Sequence, residues 1–123
     1  MLQGRKRPGA RKSVLNRSAV TVRARKPFQD WLKSLPEPAS YTLDRINKNT
    51  GTYLLPRYDH DAERERLLEH YCDLIFEDQL SGWWTDKRDW PRDLDYETFR
   101  EWFDVEFHSC VDDLVDGPLE DDE

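Results

Sequence analysis

The segment Asp95–Val111, DYETFREWFDVEFHSCV, changes its hydrophobic period midway and leaves no room for a linker between the two halves. Tyr96, Phe99 and Phe103 recur at helical spacing, with Trp102 widening the stripe, which predicts a short amphipathic helix closed by Asp104. From Val105 the pattern alternates. Val105, Phe107 and Val111 point one way and Glu106, His108 and Cys110 the other, the mark of a half-buried strand. A helix running straight into a strand presents two aromatic-rich apolar faces, and the remainder of the chain has to cover both.

That remainder is small. At 123 residues the chain supports one domain with one core. All fifteen aromatic residues fall between Phe28 and Phe107, so the folded body is expected within those bounds and tails outside them. Charge divides at the same place. Residues 1–26 hold nine Lys or Arg and no carboxylate, and the remainder holds ten Lys or Arg against twenty-six Asp or Glu. A segment of +9 therefore precedes a body of −16, a polarity hidden by the overall −7. The expected organisation is a disordered basic tail over 1–18, a single α+β domain over 19–115 and an acidic disordered tail over 116–123.

Within the body, Ala19–Ala24 alternates as a strand, and Phe28, Trp31, Leu32 and Leu35 set a helix over Lys26–Leu35 with Pro27 in its first turn. A short helix over Leu43–Lys48 capped by Thr42, a strand over Thr52–Pro56 and a long helix over Asp61–Ser81, capped by Asp59 or Asp61, follow. On the long helix Leu67, Leu68, Tyr71, Leu74, Ile75 and Gln79 mark a stripe that Cys72, Phe76 and Leu80 broaden, which predicts packing on two sides. The fold class is α+β: a small sheet of about three strands with helices packed mainly on one face.

No motif fixes a function. Two cysteines without a signal peptide or an apolar run of membrane-spanning length fit a reduced cytoplasmic protein that does not enter membranes. His108 and Cys110, two apart on the predicted strand, would share a face and are the best local metal pair, but no second pair with ligand spacing completes a site. His70 and Cys72, two apart on a helix, diverge. A thiol nucleophile at Cys72 or Cys110 would need an electropositive setting, and both lie among acids and aromatics. Glu106 and Asp104 beside His108 read as the solvated outer side of a strand. No phosphate loop, nucleophile elbow or dinucleotide fingerprint occurs, so nothing calls for a cofactor and the balance points away from an enzyme.

The basic segment, with Arg5, Lys6, Arg7, Arg11, Lys12 and Arg17, offers phosphate neutralisation and hence salt-sensitive nucleic-acid binding through residues 1–26. It lacks aromatics for base stacking, and the acidic body would repel the same polymer. Resting on that body, or targeting, are its other readings. Trp83, Trp84 and Trp90 flank a loop, where they either close the core or anchor a protein partner inside an acidic rim.

The stretches VRARKPFQDWLKSLP, TYLLPRYD, GWWTD, WPRD and REWFDVEFHSCVDDL resemble a family of small uncharacterised bacterial proteins sharing a KxP[FY]xDW entry, a YL[LI]P segment and a closing WFxVxFHS. The resemblance spans roughly residues 20–115 and implies a bacterial cytoplasmic protein without implying a mechanism. The basic extension before Ala19 departs from the family pattern. The leading expectation is a non-enzymatic protein-interaction module, acidic and aromatic-anchored, for an unidentified and basic protein partner; nucleic-acid association through the tail is the alternative, and an enzyme or metal site around His108 and Cys110 the third.

Overall fold

The computed structural model describes residues 10–38 and 40–122. The elements are strand β1 (Ala10–Val14), strand β2 (Arg17–Ala24), helix α1 (Lys26–Ser34), helix α2 (Leu43–Ile46), strand β3 (Gly51–Pro56), helix α3 (Asp61–Ser81), helix α4 (Tyr96–Trp102), strand β4 (Phe103–His108) and strand β5 (Asp112–Val115), with a single 3-10 turn at Lys87–Asp89. The result is an α+β fold built on a three-stranded antiparallel sheet in the order β3-β2-β4, joined by a two-stranded ribbon of β1 and β5.

Alternation on β2 decides which face is covered. Ser18, Val20, Val22 and Ala24 are buried, opposite Leu55 and Tyr53 of β3 and Phe107, Val105 and Phe103 of β4. The helices meet this face in one apolar cluster, with Phe28, Trp31 and Leu32 from α1, Leu68, Cys72, Ile75, Phe76 and Leu80 from α3, and Phe99 from α4. Phe28, Phe76, Phe99 and Phe103 are fully buried, and their rings meet mostly edge-on or tilted at 5.1–5.9 Å, the geometry that the ring quadrupoles favour. The other face of the sheet carries Thr21, Arg23, Thr52, Asp104, Glu106 and His108, together with half-exposed Leu54 and buried Ala19. Ser18, the one buried polar residue among the described residues, donates its hydroxyl to the Pro56 carbonyl at 2.8 Å.

Four expectations change. Helix α4 stops at Trp102, because Phe103 is already extended at φ −134° and ψ 138°; the switch of period therefore falls two residues before Val105. Helix α3 is capped by His60, whose backbone N–H donates to the Glu63 carboxylate at 3.2 Å, rather than by Asp59 or Asp61. It packs on both β3 and α4, as expected, but its buried stripe leaves out Leu74, which is 60% exposed, being six positions from Leu68 and so well round the helix from it. The segment 1–18 is not structureless throughout. Ala10–Val14 forms β1, and Arg17 and Ser18 open β2; residues 1–9 lie outside the described residues. The reason is tertiary, for β1 takes its hydrogen-bonding partner from β5, with Ser13 opposite Asp113 and Val14 opposite Asp112. Residues 116–122 are exposed and without regular structure.

Candidate functional site

An open cleft of about 1010 Å³ lies between the α2–β3 segment and the C-terminal end of α3. Its walls are set by a few polar clamps. The Asn47 side chain, at the C-terminal end of α2, accepts from the Ala24 N–H at 2.7 Å and donates to the Ala24 carbonyl at 2.9 Å, fixing α2 against the end of β2. Thr42 caps α2 by accepting the Arg45 N–H. Gln29 of α1 donates to the Tyr41 carbonyl at 2.7 Å and holds the approach to this helix.

On the α3 side, the Tyr53 hydroxyl donates to Asp78 and accepts from the Gln79 amide at 2.8 Å. Burial, reinforced by the hydrogen bond to the Asp78 carboxylate, pushes the Tyr53 phenol well above its ordinary pKa, so it stays a donor. Gly51 lies close under the Gln79 and Tyr53 side chains, which would have to shift for a larger residue. A Cβ there would sit 2.5 Å from the Gln79 Nε2 and 2.9 Å from the Tyr53 ring. Trp83, just beyond the helix, packs on Tyr41 with ring centroids 5.5 Å apart and keeps 38% of its surface exposed. The Arg45 guanidinium lies over the other aromatic, Tyr41, at 5.1 Å. The cleft thus combines two aromatic walls with Asp44 and Asp78 as carboxylates and Arg45 and Lys48 as cations.

The three loop tryptophans separate. Trp83 lines the cleft, whereas Trp84 and Trp90 belong to a corner organised by Asp89. Trp84 donates its indole N–H to the Asp89 carboxylate at 2.9 Å, Trp31 donates to the Asp89 carbonyl at 2.8 Å, and Trp90 donates to the Trp84 carbonyl at 2.8 Å. Buried indole N–H groups need such partners, so this corner closes the α1 and α4 end of the core. Trp90 also borders a shallow hollow of about 460 Å³ beside Trp31 and Trp102.

His108 and Cys110 do not share a strand face. β4 ends at His108, whose Nε2 lies 3.2 Å from the Thr21 hydroxyl and 3.3 Å from the Glu106 carboxylate, while Cys110 lies beyond it and directs its thiol to Asp112 at 3.8 Å. Among the described residues no group of three or more His, Cys, Asp or Glu could hold a metal ion. Cys72 is buried, and desolvation together with Asp73 and Glu69 pushes its thiol pKa up, the opposite of what a thiolate nucleophile needs. Arg5, Lys6 and Arg7 lie outside the described residues; Arg11 and Lys12 fall in β1, and Arg17 is exposed, its guanidinium turned to the Asn16 side chain at 2.9 Å. Among the described residues no helix is long and apolar enough to cross a membrane.

The Tyr41–Trp83 cleft itself leaves no composition signal: Asn47, Gly51 and Gln79 are ordinary residues until the fold brings them together. Comparison with family models, with curated proteins and with solved structures gives no significant match.

Proposed function

We propose that the protein is a non-enzymatic interaction module that binds a basic protein partner through the Tyr41–Trp83 cleft. The observation that carries the reading is Trp83, a large aromatic left 38% exposed on the wall of a cleft that the Asp78 carboxylate also lines. An aromatic wall next to a carboxylate suits the aliphatic stem and charged head of an Arg or Lys, and Trp and Tyr are the anchors on which interface energy concentrates. Of the carboxylates on the later half of α3, Asp78 lines the cleft, beside Asp44, Arg45 and Lys48.

The nucleic-acid alternative draws less support, because β1, which contains Arg11 and Lys12, is paired with the carboxylate-bearing β5. Affinity capture by the full-length protein from extracts of its own cells, with and without nuclease, tests both. A stoichiometric, nuclease-resistant partner lost on Trp83→Ala and weakened by added salt is the expected result; capture that survives Trp83→Ala and salt would remove the cleft reading, and capture abolished by nuclease would replace it with the tail.

A further inference from the structure

A second hollow, of about 450 Å³, opens at the other end of β3 from the Tyr41–Trp83 cleft. Its charged lining is Arg17 and Arg57. The register places Arg17 of β2 opposite Pro56, so the two arginines are neighbours where these strands end together. No carboxylate lines the hollow, although after Lys26 carboxylates outnumber Lys and Arg twenty-six to ten; Asp59, two residues beyond Arg57, is not part of the wall. Among the described residues neither arginine makes an ion pair. Arg17 is nonetheless oriented, because its Nη1 donates to the Asn16 carbonyl and to the Asn16 side-chain oxygen, both at 2.9 Å. That leaves the Nε–Nη2 edge, which presents two parallel N–H groups to an oxyanion. The rest of the wall is the apolar run Leu54–Pro56 and the half-buried Tyr71.

We infer that the Arg17–Arg57 hollow binds the phosphate group of a small organic phosphate monoester. Two guanidinium groups match the near-double negative charge that such a group carries at neutral pH, and the fork of each suits its oxygens. The Tyr71 ring and the apolar wall give the organic part somewhere to lie. A nucleic acid fits less well. The hollow supplies only two cations, the body around it is strongly acidic, and β1, which leads into Asn16, is paired with the carboxylate-bearing β5. The site goes beyond the protein-binding role and does not depend on it.

The probes are phenyl phosphate, phenol, inorganic phosphate and a single-stranded oligonucleotide, each titrated into the isotope-labelled full-length protein and followed by NMR. Phenyl phosphate should give saturable shifts at Asn16, Arg17, Arg57 and Tyr71, phenol none, and inorganic phosphate should bind more weakly. Arg17→Ala and Arg57→Ala should each weaken phenyl phosphate about tenfold while leaving the thermal unfolding midpoint unchanged, both side chains being exposed. Arg57→Lys, which keeps the charge and loses the fork, should fall between. Absence of saturable shifts overturns the site, and so does affinity indifferent to both arginines. Inorganic phosphate binding as tightly as phenyl phosphate overturns the ester in favour of the free ion. An oligonucleotide that binds more tightly than phenyl phosphate overturns it in favour of a polymer.

Discussion

Two tyrosines show how single side chains are tuned here. Tyr53 is held between Asp78 and Gln79, and Tyr96 donates to the Glu65 carboxylate while accepting from Arg100. For Tyr96, burial and then the Glu65 hydrogen bond push the phenol up to about 12. The same cluster acts on its carboxyl: burial alone would raise Glu65, but the hydrogen bonds from Tyr96 and Arg100 outweigh it and lower its pKa. Because the folded-state values of the phenols exceed the ordinary 10, their contribution to stability is whole below about pH 10 and is lost as pH rises through the folded values, for Tyr96 near pH 12. In an absorbance titration of the native protein, Tyr53 and Tyr96 should therefore remain protonated at about pH 11, and Tyr53→Phe should remove one late-ionising phenol. A titration curve unchanged by Tyr53→Phe above about pH 11 would contradict these contacts. None of this was legible in the sequence. Tyr53 reads there as a strand former, and its partners lie 25 and 26 positions away on another element.

The elements themselves were far more visible. Helix α3 runs over Asp61–Ser81, the span its composition predicts, and α2 forms under its Thr42 cap. What period alone did not settle is which leucines of α3 meet the core. Leu68 is fully buried and Leu74 is 60% exposed, so the same substitution should separate them: Leu68→Ala should cost about 2–5 kcal/mol in urea unfolding and Leu74→Ala within about 0.5 kcal/mol. Similar losses at the two positions would mean that Leu74 is buried as well. β1 escaped the sequence for a different reason. ARKSV has no alternation and little to bury, and it becomes a strand through the distant edge of β5.

At the scale of the whole molecule, charge opposes compaction. Residues after Lys26 carry twenty-six carboxylates against ten cations, and most of the carboxylates are exposed. Screening such self-repulsion stabilises the compact state, so raising salt from about 20 to about 200 mM should move the urea midpoint upward. A downward shift would show that attractive surface pairs, such as Arg100 with Glu65 at 2.9 Å, outweigh the repulsion. The bipolar composition was plain in the sequence, whereas the cleft beside Trp83 and the hollow between Arg17 and Arg57 arise only from packing. The placing of β2 has a further consequence, for the order in which the molecule can be made. The strand at the centre of the sheet comes from the first quarter of the chain, and its β4 neighbour from the last; Thr21 and His108, which touch across them, are 87 positions apart. Residues of β2 thus leave the ribosome long before the strand that completes their burial exists. The sheet is completed only once β4 has been made, and β2 is the segment whose apolar face waits uncovered in the interval.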